Sequence, residues 1–136
     1  MRDDRERLIG IIRACDKIDE YVSGMTYVEF VNDEKTVDAC ATKSSVIGNF
    51  CNEISDELKE LYPDVDWHGA YKFRCRVDHS YDTPSFDLKI MWNTLTDSVP
   101  KLRDDCACIL KELEYRSESP KSKDNPRLSR FKSFQR

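Results

Sequence analysis

Along the first third of the chain, apolar residues recur at alternating spacings of three and four, which is the period of a helix with one buried face. Ser23-Gly24 follows the first run and predicts its end, because glycine readily adopts the left-handed conformation found after helices. Thr26 and Glu29 have the spacing of a capping box and predict a short second helix. The first run consists of Leu8, Ile12, Cys15, Ile18 and Val22.

A second and longer run extends from Asp33 to about Leu61 and predicts a long central helix. Gly48 lies in its middle and is expected to mark a bend, and Pro63 is expected to end the helix. The apolar positions of this run are Val37, Cys40, Ser44, Ile47, Cys51, Ile54, Leu58 and Leu61.

Two further helices are predicted in the rest of the chain. Asp66 can cap a helix whose apolar face contains Trp67, Ala70, Tyr71 and Val77. A long last helix follows from Leu88 to Leu113, and Pro100 either kinks it or starts a new segment. No stretch alternates at period two for long enough to form a sheet. Residues 1–115 are therefore predicted to form an all-α, up-and-down bundle of four or five helices.

Charge divides the chain into an acidic body and a basic tail. Residues 1–115 hold 15 of the 22 basic and 24 of the 26 acidic residues, a net charge of −9, whereas residues 116–136 carry +5. An acidic body argues against broad, nonspecific binding of nucleic acid, so any contact with RNA must be local. The tail is rich in Ser, Lys, Arg and Pro and is predicted to be disordered. Three interpretations of it remain open: a solvated tail, an RNA-binding arm, or a segment that docks on the body through Leu128, Phe131 and Phe134.

Neither a disulfide scaffold nor a metal centre is expected. The chain has six cysteines but no CxxC motif, four of the cysteines fall on apolar helix positions, and the two histidines lack ligand spacing. Reduced thiols in the core therefore explain the cysteines better than bridges or structural zinc. No stretch of about eighteen apolar residues and no signal-like segment is present, so a soluble, cytoplasmic protein is expected.

The stretch Arg74-Cys75-Arg76-Val77-Asp78-His79-Ser80-Tyr81 concentrates chemistry that an ordinary helix does not require. On a helix, Arg74 shares a stripe with Asp78 and Tyr81, but His79 is rotated from Arg74 by about 140°. A single straight helix therefore cannot direct Arg74 and His79 at one atom. Either the helix ends near Asp78, so that His79 swings round, or a second copy of the chain supplies the complementary group.

Histidine exchanges a proton near neutral pH, and arginine binds phosphate oxygens in a fork geometry. Together they suffice for RNA cleavage without a metal: His79 would move a proton to or from the ribose oxygens, and Arg74 would stabilise charge on phosphorus. Lys72 and Arg76 are further candidate phosphate-binding residues. The alternative from the residues alone is a solvated helix end whose charged side chains have no catalytic role.

The order of several landmarks resembles the HepT-like members of the HEPN superfamily, the toxin half of HepT/MntA toxin–antitoxin pairs. Arg74 with four residues before His79, followed by Ser80-Tyr81, matches the active-site motif of that family. The similarity covers roughly residues 2–113. The other landmarks are Arg2-Asp3-Asp4-Arg5, Asp33-Glu34-Lys35-Thr36, Ile47-Gly48, Ile54-Ser55-Asp56-Glu57-Leu58, Tyr62-Pro63, Trp92-Asn93-Thr94-Leu95 and Val99-Pro100-Lys101-Leu102.

This resemblance implies a homodimeric, metal-independent endoribonuclease that needs no cofactor, cleaves cellular RNA, including tRNA in some members, and uses Arg74 and His79 as catalytic residues. It further implies an MntA-like nucleotidyltransferase antitoxin as partner, which uses ATP to add AMP to the motif tyrosine, here Tyr81. An adenylylated Tyr81 would place a phosphate and a base where the substrate phosphate should bind.

Three positions depart from the family pattern. Cys75 replaces the usual asparagine after the motif arginine, Asn49 stands where a glutamate is usual, and Asp78 places a negative charge beside the motif histidine. They leave an alternative function open, that of a catalytically degenerate HEPN dimer that serves as the binding partner of a nucleotidyltransferase. A third hypothesis is a helical bundle without nucleotide chemistry.

Overall fold

The computed structural model describes residues 2–118, and side chains within residues 3–116. Every regular element in that range is helical, which confirms the predicted all-α fold. The chain forms α1 (Arg2–Val22), α2 (Tyr27–Val31), α3 (Glu34–Glu53), α4 (Asp56–Leu61), α5 (Trp67–Ser80), α6 (Leu88–Asn93), a π-helical turn (Thr94–Ser98) and α7 (Val99–Glu118).

The long helices lie side by side in the spatial order α5, α3, α1, α7. α3 contacts both α1 and α5, and α7 packs against α1. α2 contacts α3 and α6 and carries Phe30, which is fully buried and lies against the Trp92 ring. The fully buried large side chains include Leu8, Ile11, Ile18, Phe30, Leu58, Met91 and Ile109.

The predicted end of α1 and the predicted N-terminal caps of α2 and α5 are present in the structure. Gly24 has φ of 77° directly after α1, a conformation that glycine adopts without steric strain. Thr26 and Glu29 form both hydrogen bonds of a capping box at α2, and the Asp66 carboxylate accepts a hydrogen bond from the Gly69 N–H at the start of α5. Both cap predictions are confirmed. Such caps can be predicted from the sequence because the residues that form each one are only three positions apart.

The predicted continuous helix from Asp33 to Leu61 is wrong, because the chain breaks at Ile54 and Ser55 between α3 and α4. The buried Asp4 carboxylate, from α1, accepts hydrogen bonds from the Ser55 N–H at 2.9 Å and the Ser55 Oγ–H at 2.5 Å. The Ser55 hydroxyl in turn caps α4 by accepting from the Leu58 N–H at 3.2 Å. A tertiary contact with the first turn of the chain therefore ends α3.

Gly48 is not at a helix break, since α3 continues through it to Glu53. It lies where α3 contacts α5. A β-carbon at this position would overlap the β-carbon of Arg74 and lie 2.9 Å from the carbonyl oxygen of Ala70. Glycine is therefore required here for the close approach of two helices, at the level of Arg74.

The last two helices form one continuous arm. The Val99 N–H donates to the Thr94 carbonyl five residues back, which defines the π-helical turn. Pro100 follows in the first turn of α7, where its missing N–H is best tolerated. Pro100 therefore lies at the start of a new helical segment, α7, which continues directly from the π-helical turn.

All six cysteines are free, and Cys15, Cys40, Cys51 and Cys106 are buried, as predicted for core thiols. Burial raises the pKa of Cys15, Cys40 and Cys51 to about 12, so these thiols stay protonated at neutral pH. Within the described side chains no group of three or more His, Cys, Asp or Glu residues is arranged to hold a metal ion. No helix in residues 2–118 is long and apolar enough to cross a membrane.

α7 runs to Glu118, and the boundary between body and tail at residue 115 stays a prediction. The remainder of the basic tail, with Leu128, Phe131 and Phe134, lies outside the described residues.

Candidate active site on α5

The antiparallel pairing of α3 with α5 determines which side chains of α5 face the bundle. Three contacts give the register: Gly48 lies against Arg74, the Ser45 Oγ–H donates to the Asp78 Oδ2 at 3.4 Å, and Tyr81 is hydrogen-bonded to Asp38. The stripe that contains Arg74, Asp78 and Tyr81 therefore runs along the seam between the two helices.

Arg74 is held by its own helix. Its Nη2 lies 3.3 Å from the Asp78 Oδ2, one turn ahead, and its guanidinium lies 5.8 Å from the centre of the Tyr71 ring. The Arg74 side chain is 27% exposed and that of Asp78 is 32% exposed, so solvent reaches both. The Arg74 Nε is buried and has no hydrogen-bond partner among the described residues. The guanidinium of Arg74 is thus accessible to solvent and already paired with a carboxylate, and its buried Nε is left without a partner.

Tyr81 ends α5, and its N–H donates to the Val77 carbonyl at 3.1 Å. Its ring is partly buried against the core. The hydrogen bond to the Asp38 carboxylate raises the pKa of Tyr81 above its usual value of 10.0, and partial burial and the charges of Asp38 and Asp82 act in the same direction. At neutral pH the phenol is therefore protonated and donates to Asp38.

His79 does not converge with Arg74 in one chain. α5 continues through Ser80, whose Oγ–H donates to the Arg76 carbonyl at 2.8 Å, so the predicted alternative of a helix that ends near Asp78 is wrong. His79 therefore stays about 140° around the helix from Arg74. Its side chain is exposed and forms no hydrogen bond or ion pair with the described part of the chain.

Lys72 and Arg76 share the face of His79 rather than that of Arg74. Lys72 and His79 are seven residues apart, about 20° around the helix, and Arg76 lies one turn before His79. Both basic side chains are exposed and form no ion pair within residues 3–116. They line a groove of about 550 Å³ between α5 and the α6–α7 arm. α5 thus has a neutralised seam against α3 and a face of free cations.

Asp78, one of the three positions that depart from the family pattern, lies on the seam, and the other two lie near it. Cys75 is partly buried and free, next to Arg74. Asn49 is exposed on α3, one residue beyond the Gly48 contact. Sequence reasoning missed Asp38 and Ser45 as partners of the motif. Asp38 and Ser45 are seven residues apart and therefore share one face of α3, and that shared face was the available signal.

The fold is an all-α bundle, and the motif Arg-x4-His-x-Tyr occupies the C-terminal half of one partly exposed helix. These two features define a class of small helical proteins with a candidate RNA-cleaving site. The family model for "Ribonuclease HepT-like" matches residues 11–109. The chain belongs to the HepT-like ribonuclease family.

Relatives with curated names are distant but cover most of the chain. A probable ribonuclease HepT of Thermococcus cleftensis is 26% identical over 102 residues, which are 75% of this chain and 91% of that protein. A putative RNase of Methanocaldococcus jannaschii is 27% identical and covers 87% of this chain and 96% of its own. A putative RNase of Caldanaerobacter subterraneus is 25% identical, with 82% and 98% covered. No solved structure is a significant match.

Proposed function

We propose that this protein is a metal-independent endoribonuclease of the toxin type that acts on cellular RNA, with tRNA as one candidate substrate. Membership of the HepT-like ribonuclease family, together with Arg74 and His79 at the exposed end of α5, carries the proposal. The 2′-oxygen of a ribose attacks the adjacent phosphorus, and the bond from phosphorus to the 5′-oxygen breaks. His79 removes the proton from the 2′-hydroxyl or supplies one to the leaving 5′-oxygen, and Arg74 stabilises the charge on phosphorus.

The active site is formed by two copies of the chain. Arg74 and His79 of one chain lie about 140° apart around α5, which excludes a shared target on one straight helix. A two-fold axis next to α5 brings Arg74 of one copy towards His79 of the other and creates two equivalent sites. A homodimer with α5 at its interface is therefore part of the proposal.

We further propose that the ribonuclease activity is switched off by a covalent modification of Tyr81. An MntA-like nucleotidyltransferase would join the Tyr81 oxygen to the α-phosphorus of ATP, with release of pyrophosphate. Tyr81 lies on the stripe of Arg74, about two turns or 10 Å along the helix. The added phosphate and adenosine would offer Arg74 a tethered anion and occupy the space of the RNA backbone.

The nuclease claim is tested with purified protein, tRNA and total cellular RNA in the presence of EDTA. The expected result is cleavage by the native chain and background cleavage by His79→Ala. His68→Ala is the matched control, because His68 is the other histidine and is also exposed on α5. Equal cleavage by the native chain and His79→Ala would remove the enzyme claim.

One observation favours a second candidate function. Arg74 is neutralised by Asp78, and Cys75 replaces the family's asparagine beside it, so the chain can serve as a non-catalytic partner of a nucleotidyltransferase. Co-purification with such an enzyme, combined with normal growth of cells that express the chain alone, would favour this function over the nuclease.

A further inference from the structure

The groove beside α5 has the size and walls of a small-ligand site. Its volume of about 550 Å³ lies within the range of about 300–1,000 Å³ typical of such pockets. Apolar side chains come from three directions: Ile47 from α3, Phe73 from α5, and Ile90 and Leu102 from the α6–α7 arm. Phe73 offers an aromatic ring, and Ile90 is 40% exposed at the groove.

Ser44 adds an unsatisfied polar group to this groove. The residue is 3% exposed, and its hydroxyl has no hydrogen-bond partner within the described residues. A buried hydroxyl without a partner is destabilising, because it has lost its hydrogen bonds to water. A ligand with a polar edge would supply the missing partner.

Free positive charge lies along the groove. Lys72 and Arg76 form no ion pair within residues 3–116, and both are exposed. Two of the acidic residues of the groove are already engaged: Asp66 caps α5, and Asp105 pairs with Lys101 at 3.2 Å. The third acidic residue, Asp64, is exposed at the groove, and Lys72 and Arg76 together outnumber it, which favours the binding of an anion.

The cations also connect the groove to the proposed cleavage site. Lys72, Arg76 and His79 follow one another along the same face of α5. The distance from Lys72 to His79 along the helix axis is about 10 Å. A strand cleaved at His79 would therefore pass Arg76 and Lys72.

We propose that this groove is a subsite for one unpaired nucleotide of the RNA substrate. The base lies between the apolar walls against Phe73, the Ser44 hydroxyl bonds its polar edge, and Arg76 and Lys72 bind the adjoining phosphates. The inference rests on the proposed ribonuclease function and adds a substrate preference to it. A base held in a duplex stack cannot enter the groove, so single-stranded RNA and loops are preferred over paired RNA.

Binding is measured by fluorescence anisotropy with a short labelled single-stranded RNA and with a blunt-ended duplex that contains the same strand. All variants are made in the full chain carrying His79→Ala, so that cleavage does not interfere. Arg76→Glu is compared with Arg13→Glu, which makes the same charge change at an exposed residue of α1. Ile90→Glu is compared with Val28→Glu, because Val28 is also an exposed aliphatic residue, at 64%.

We expect Arg76→Glu and Ile90→Glu each to weaken single-strand binding about tenfold, against less than about twofold for the controls. We also expect the duplex to bind more weakly than the single strand. Equal losses in groove and control variants would overturn the subsite.

Equal affinity for the single strand and the duplex would also overturn the proposal. The comparison of the native chain with His79→Ala for cleavage is independent of both results. Failure of the subsite is therefore distinguishable from failure of the nuclease.

Discussion

In the proposed nuclease, the ion pair between Arg74 and Asp78 would compete with a substrate phosphate for the same guanidinium. Asp78→Asn removes the negative charge and preserves the shape of the side chain, and the amide oxygen can still accept from the Ser45 hydroxyl. We expect this substitution to increase RNA affinity and to cost little stability.

The magnitude follows from exposure and distance. The side chains are 27% and 32% exposed with 3.3 Å between the charged atoms, so solvent screens the pair. Such a one-turn helix pair contributes about 0.5 kcal/mol to stability. A phosphate about 4 Å from the Asp78 carboxylate is repelled by about 1 kcal/mol in water. Removal of both terms favours RNA binding by about 1.5 kcal/mol, which is about tenfold in affinity.

The assay is RNA binding in the His79→Ala background, with melting temperature as the measure of stability. Asp19→Asn is the control, since it makes the same charge change at an exposed residue of α1. We expect a melting temperature lower by about 2 °C and an affinity about tenfold higher than that of the control. If Asp78→Asn binds RNA no more tightly than Asp19→Asn, phosphate does not bind at Arg74 and the catalytic role of this arginine fails.

Three further predictions concern the contacts that shape the seam and the helix ends. Gly48→Ala should lower the free energy of unfolding by about 1–2 kcal/mol, because overlap with Arg74 outweighs the gain in helix propensity. Denaturant unfolding measures this free energy, and an increase in stability would contradict the close approach of α3 and α5. Asp38→Asn should lower the pKa of Tyr81 towards 10.0, as followed by NMR of labelled tyrosine across a pH titration. Because the pKa of Tyr81 is raised in the folded state, the stability that this hydrogen bond contributes is present below pH 10 and is lost as the pH rises through the folded pKa. The native chain and Asp38→Asn should therefore converge in stability above pH 10. Asp4→Ala should cost about 2–3 kcal/mol, because the Ser55 N–H and hydroxyl lose a buried acceptor; a loss below about 0.5 kcal/mol in thermal unfolding would show that Asp4 does not end α3.

Caps and helix faces could be predicted from the sequence because their causes are local. Thr26 and Glu29 satisfy each other three residues apart, and the buried face of α1 repeats with every turn. The break before α4 could not be predicted in this way. Its cause is Asp4, fifty-one residues earlier in the chain, and neither proline nor glycine marks the position.

In the candidate site too, some features follow from local helix geometry and others depend on tertiary packing. The stripe of Arg74, Asp78 and Tyr81 follows from helix geometry, and the ion pair one turn apart agrees with it. The role of Gly48 and the partnership of Asp38 with Tyr81 depend on how α3 lies against α5. That register is a property of two packed surfaces, and one sequence contains no direct signal of it.

The two faces of α5 place a constraint on any active dimer. Arg74 lies on the seam with α3, where Asp78 neutralises it, whereas His79 lies on the opposite face with the free cations Lys72 and Arg76. A symmetric contact that placed only the cationic faces together would bring like charges into contact and leave both arginines outside the site. The proposed nuclease therefore requires an offset two-fold contact, in which the seam of one chain meets the His79 face of its partner.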